Sequence, residues 1–238
     1  MALTIYKPIM PDDFPLKSQT EAKLHAVLDG TINFPGNGIT GLLLYGIPGS
    51  GKTTMAELLP GWLETAKTSN YLLNNPVGHI VDLTQATFAT HACAQGQNGA
   101  SVMQNIQNTT SLISFNTSNL HYVILDEVDL LTSSAIASLK AIMNQKNVVF
   151  ILTTNNLNKI STPVQNRCHL LDMNAPPTSA WVTKIQGIYQ QSNLAAPPAS
   201  TISSIVAAGN GSARSILSDM EFAEALRQKR QGGQSWTD

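Results

Sequence analysis

The sequence predicts an α/β fold, a five-stranded parallel sheet flanked by helices and followed by a small all-helical domain. Three observations predict it. Continuous apolar runs at Leu42–Tyr45, Tyr122–Leu125 and Val148–Leu152 alternate with segments of helical pattern, and strands apolar on both faces belong to parallel sheets covered by helices. A glycine-rich loop, Gly46 to Gly51, separates the first run from a helical segment. The composition changes after Asp172, beyond which only helical patterns remain.

Taken in order, residues 1–20 carry Pro8, Pro11 and Pro15 around Asp12-Asp13 and read as an extended arm. A helix is expected over about 20–28, with Leu24, Val27 and Leu28 on one face. Residues 30–41 are a turn-rich link. The first strand is 42–45, and a helix begins near Met55. A loop is expected over 70–78 and a second strand over 79–83, His-Ile-Val-Asp-Leu. Residues 84–119 hold almost no charge and read mostly as polar surface, with a helix over about 100–110. Strands follow at 122–125, 148–152 and 169–171, with a helix over 133–143 between the first two. Past the Asn174-Ala175-Pro176-Pro177 linker, helices are expected over 178–191, 199–207 and 212–229, and the Gly232-Gly233-Gln234-Ser235 tail reads as flexible. The expected domains are 1–173, 174–230 and a tail at 231–238.

The 238 residues are 42% hydrophobic, enough for a sizeable core, and only 12% charged, against about a quarter in an average chain. Asn, Gln, Ser and Thr carry the surface instead. A formal net charge of −1 excludes a global basic field that would draw the chain onto nucleic acid. Two cysteines, Cys93 and Cys168, form neither a disulfide framework nor a metal-ligand cluster. Without a leader pattern or an apolar run near 20 residues, the expectation is a cytoplasmic protein with no membrane partner.

The chemistry concentrates in five short stretches. Gly46-Ile47-Pro48-Gly49-Ser50-Gly51-Lys52-Thr53-Thr54 fits the spacing of a phosphate-binding loop between strand and helix. Its glycines let successive N–H groups turn inward on phosphate oxygens, and the following helix directs its positive end at the same anion. Lys52 is placed to meet the β and γ phosphates of ATP, and the Thr53 hydroxyl to hold Mg²⁺. The second stretch is the apolar run that ends in Asp126-Glu127. It brings two acids to the carboxyl end of a buried strand, Asp126 for Mg²⁺ and Glu127 to polarise the attacking water. A competing role for this region is helix capping by Asp129 or Ser133. The third is Thr153-Thr154-Asn155-Asn156, where Asn155 can both donate and accept beside the γ-phosphate. The fourth and fifth are Pro163-Val164-Gln165-Asn166-Arg167-Cys168 and Gly211-Ser212-Ala213-Arg214.

The order of these stretches resembles that of a P-loop NTPase of the AAA+ group, and within it the clamp-loader small subunits: replication factor C, the bacterial γ and δ′ type, and phage equivalents. The most specific likeness is Asn155-Asn156-Leu157-Asn158-Lys159-Ile160 leading into Pro163–Cys168, which is similar to that family's sensor-1 segment and Ser-Arg-Cys motif. The resemblance implies Walker A at Gly46–Thr53, Walker B at Asp126-Glu127, sensor 1 at Asn155, an arginine finger acting in trans at Arg167 and sensor 2 at Arg214. It also implies self-association, or association with related subunits, in a ring or arc that acts on DNA, a sliding clamp or another replication protein. A helicase or initiator loader, or a protein remodeler or unfoldase, is the alternative. Thr87-Phe88-Ala89-Thr90 lacks the aromatic-apolar-Gly pattern of an unfoldase pore loop. The chain departs from the family at Asn166, where the family has Ser, at Ser212-Ala213, and over residues 80–120, which lack basic residues. It ends directly after the helical domain, so the collar of clamp loaders is expected to be lacking.

Overall fold

The structure, a computed structural model, describes residues 3, 7–68, 86–93 and 99–231. Strands β1 (Gly41–Tyr45), β2 (Phe88–Ala92), β3 (His121–Asp126), β4 (Val148–Thr154) and β5 (Cys168–Asp172) form one sheet in the order β2-β3-β4-β1-β5, with every pair parallel. The connecting helices are α1 (Ser18–Leu28), α2 (Lys52–Thr68), α3 (Gly99–Thr110), α4 (Ser133–Ile142) and the single-turn α5 (Thr162–Gln165). Helices α6 (Thr178–Gln191), α7 (Ala199–Ala208) and α8 (Ala213–Gln231) follow.

Every residue of β4 is buried. Because successive side chains alternate between faces, Leu43, Val123, Leu125, Phe150 and Leu152 meet α3 and α4 through Val102, Met103, Ile106, Leu139, Ile142 and Met143. Helix α2 lies against β1, β3 and β4 and brings the fully buried Met55 and Leu59. At full burial each such apolar side chain contributes about 1.5–3 kcal/mol. A buried carboxylate joins α2 to β3: Glu64 accepts from Tyr122 Oη at 2.8 Å and from the Ser118 hydroxyl and N–H at 2.6 and 2.8 Å.

The chain divides into two compact units. One consists of Ala22–Gly46 and Lys52–Asp172 and contains the sheet; the other collects Met1–Glu21, Ile47–Gly51 and Met173–Asp238. The second has its own core, in which Trp181, Ile185, Tyr189, Ile202, Val206, Ile216 and Met220 pack together. There Glu224 and Arg227 form a buried ion pair, with Nη2 to Oε1 at 2.6 Å. Hydrogen bonds from Arg227 and Gln228 hold the Glu224 carboxyl below its ordinary value against the opposing effect of burial.

Several elements differ from expectation. The expected second strand and the loop before it lie outside the described residues, as does the Gly232–Ser235 tail. The strand at Phe88–Ala92 falls in a stretch read as polar surface. Among the described residues it is an edge strand, alternately exposed and half-buried, paired to β3, so no apolar run is needed. Helix α2 continues through Pro60-Gly61 because Leu59, Trp62 and Leu63 are all buried. Burial of that face outweighs the hydrogen bond the proline removes. The cap of α4 is neither Asp129 nor Ser133 but Thr132, whose side chain accepts from Ala135 N at 3.3 Å. Among the described residues no helix is long and apolar enough to cross a membrane.

Candidate nucleotide site

The strand order positions the site. Strand β4 lies between β1, which leads into the glycine loop, and β3, which carries the acids. The polar residues ending β4 therefore stand between the end of β1 and the acids at the carboxyl edge of the sheet. The loop leaves β1 through Gly46, whose N–H donates to Thr154 O at 3.2 Å. Gly49 and Gly51 adopt φ of +77° and +94°, where a side chain would be strained.

Lys52, only 7% exposed, donates to Gly46 O at 3.0 Å. Burial pulls its ammonium below the usual lysine range, and the charges of Asp126, Asp129 and Glu127 act against that shift. The Thr53 hydroxyl lies 3.0 and 3.3 Å from the two carboxylate oxygens of Asp126. A hydroxyl and a carboxylate converging in this way are a hard-oxygen donor set suited to Mg²⁺. In the loop itself, Ser50 Oγ is buried without a hydrogen-bond partner among the described residues. A partnerless buried hydroxyl in a glycine-rich anion loop fits a polar ligand there.

Asp126 and Glu127 are held from β4. Thr153, 1% exposed, donates to Asp126 Oδ1 at 2.6 Å and accepts from Glu127 N at 2.9 Å. Glu127 itself sits in the left-handed region at φ 58° and ψ 49°, a conformation costing roughly 1–2 kcal/mol for a residue with a side chain. Its Oε1 accepts from Asn155 Nδ2 at 3.4 Å. Asn155 is fixed in turn by Asp129, whose Oδ1 accepts from Asn155 N at 3.2 Å and from Thr154 Oγ1 at 2.8 Å. Lys52, Thr53, Asp126, Glu127 and Asn155 thus form one connected group. Sequence reasoning did not single out Thr153 as a site residue and read Asp129 only as a cap; each residue type is also ordinary turn chemistry.

Arg167 is not in this group. It precedes β5 at the amino edge of the sheet, where its carbonyl accepts from Thr40 N at 3.0 Å and Gly41 N at 2.9 Å. The strand from Gly41 to Gly46 advances roughly 16 Å at about 3.3 Å per residue, so Arg167 stands at the end of its own sheet opposite Gly46. Arg214 is exposed at the start of α8. Its N–H donates to Gly49 O at 3.1 Å, and Ile47 N donates to Asn174 Oδ1 at 3.2 Å.

A parallel sheet with a glycine loop after β1, an acid pair ending β3 and a polar strand end between them defines a P-loop nucleotide-binding protein. The comparisons with known proteins agree. The family described as "ATPase family associated with various cellular activities (AAA)" matches residues 42–173. The chain belongs to this AAA family and is an ATPase. It is 28% identical over 158 residues to "Replication factor C small subunit 2" of Pyrobaculum islandicum, covering 64% of this chain and 43% of that protein. It is 31% identical over 137 residues to "Replication factor C subunit 5" of Arabidopsis thaliana, covering 56% and 32%. The chain therefore spans about half or less of the length of these relatives. Its fold is similar to that of a variant of RuvB from Thermotoga maritima, with a TM-score of 0.65 at 16% identity over 94% of this chain and 66% of that one.

Proposed function

We propose that this chain is a Mg²⁺-dependent ATPase that works as an oligomer, with Arg167 acting on a neighbour's nucleotide, and that it remodels a DNA-replication assembly as a clamp-loader subunit does. The observation that carries this reading is the separation of Arg167 from the Lys52–Asp126–Glu127–Asn155 group by the length of a strand. An arginine at the opposite edge cannot serve its own site, but it can complete the site of an adjacent copy. The likeness to replication factor C small subunits supports the replication setting.

In this mechanism Lys52 binds the β and γ phosphates, while Thr53 and Asp126 hold Mg²⁺, which supplies charge neutralisation when bound. Glu127 orients and polarises the attacking water, with Asn155 fixing the carboxylate from the side. Arg167 of one copy stabilises the charge that develops on the γ-phosphate of the next.

The test mixes two inactive proteins. Glu127→Gln and Arg167→Ala should each bind ATP and hydrolyse it poorly, the second by roughly 10³-fold or more. Mixed, they should regain partial activity, because some interfaces pair a sound Glu127 with a sound Arg167. Activity per chain that is independent of protein concentration, with no rescue on mixing, would remove the trans reading. Stimulation by primed DNA together with a sliding clamp supports the replication role; stimulation by a protein substrate alone favours a remodeler instead.

A further inference from the structure

We infer that Asn144 is a positioning residue, holding Arg167 pre-aligned for the phosphate of a neighbouring copy; the inference rests on the trans role proposed above. Arg167 Nε and Nη2 both donate to Asn144 Oδ1 at 3.1 Å, and Nη1 donates to Pro163 O at 2.8 Å. A guanidinium carries five N–H donors. Three are engaged here, which leaves one on each terminal nitrogen. That is the pair of donors a bidentate contact with phosphate oxygens uses.

Both acceptors, the Asn144 amide oxygen and the Pro163 carbonyl, are neutral oxygens. Among the described residues no carboxylate pairs with Arg167, so its charge is oriented without being neutralised. A paired acid would cancel the charge that an incoming anion needs.

The mounting is stiff. Beyond the carbonyl bonds to β1 already described, the Arg167 N–H donates to Val164 O at 3.0 Å. On the other side Asn144 N donates to Ala141 O at 3.2 Å, and the preceding carbonyl, that of Met143, accepts from the buried Thr40 hydroxyl at 2.8 Å. Met143 is 1% exposed. Both ends of the Asn144–Arg167 contact are therefore anchored to β1 through Thr40 and Gly41, while Asn144 itself is exposed. A long side chain ordered before assembly loses less rotamer freedom when the neighbour's phosphate arrives.

The test is a double-mutant cycle on the full chain, read as ATPase turnover and apparent KM. Asn144→Ala should lower kcat on the order of ten- to a hundredfold, the cost of a loosened catalytic group. It should leave KM and the melting temperature near wild type. Asn144→Asp, which places a negative charge on the guanidinium, should lower kcat to the level of Arg167→Ala. In an Arg167→Ala background neither change should matter. Normal turnover in Asn144→Ala alongside an impaired Arg167→Ala overturns the positioning role alone. An equal loss from Asn144→Ala with and without Arg167 does the same, because the effect would then be structural. Normal turnover in Arg167→Ala overturns the trans reading and this inference with it.

Discussion

Thr153→Val isolates the hydroxyl that ties β4 to both acids. The two side chains are nearly the same size, so the buried site keeps its volume and loses two hydrogen bonds, one to Asp126 Oδ1 at 2.6 Å and one from Glu127 N at 2.9 Å. The first is charge-assisted, worth about 1.5–3 kcal/mol, and the second leaves a partly buried N–H without a partner, at about 1–3 kcal/mol. Water reaches part of this edge, so the combined loss should be about 3 kcal/mol, or roughly 6–12 °C in melting temperature for a chain of this size. Activity should fall as well, because Glu127 is held in its left-handed conformation through that N–H. If about 1.4 kcal/mol of the loss appears in the transition state, kcat drops about tenfold. Calorimetry with a coupled ATPase assay reads both effects, and Thr153→Ser, which keeps the hydroxyl, should behave as wild type. A valine variant melting within about 2 °C of wild type with kcat within about twofold would refute the reasoning.

Two further outcomes follow from the packing. Gly41→Ala would place a methyl 2.6 Å from Cys168 Sγ and 2.9 Å from Met143 Cε; the crowding should destabilise by roughly 1–3 kcal/mol, a denaturant titration should show it, and adding Cys168→Ala should recover part of the loss. Burial, reinforced by the charges of Asp126, Glu127 and Asp129, pushes the Cys93 thiol up to about 12, and burial pushes Cys168 up to about 12 against the opposing Arg167 charge. The thiolate is the reactive form, so iodoacetamide at pH 8 should label neither cysteine in the native protein and both in urea; rapid native labelling would contradict their burial.

The legible part of the sequence was that in which one residue type has one use. Apolar runs announced β1, β3 and β4 because a strand covered on both faces has no reason to alternate, and the glycine loop announced itself because its φ values admit little else. The strand order was not legible. Nothing in Val148–Leu152 states that β4 pairs with both β1 and β3, since pairing depends on residues far apart in the chain. Without that order Thr153 and Asp129 are a strand-end threonine and a loop aspartate; with it they hold the acid pair and Asn155. The left-handed Glu127 was likewise hidden, because glutamate is not a residue that advertises positive φ. Strand β2 was missed for a different reason: a strand of Phe, Ala, Thr and His at the edge of the described sheet, alternately exposed and half-buried, needs no apolar pattern.

An all-parallel sheet has two chemically different ends, and here the acid pair with its polar neighbours occupies one end and Arg167 the other. Under the trans role proposed for Arg167, a molecule with a socket at one end and a plug at the other would join to its copies head to tail, a heterologous contact that either closes into a ring or stays open. The two outcomes differ in arithmetic. In a closed ring of like copies every socket is filled. In an open arc the socket at one end and the plug at the other have no mate, so the number of complete sites is one fewer than the number of chains. With Arg167 working in trans, the stoichiometry of hydrolysis within one assembly therefore reports whether that assembly is closed.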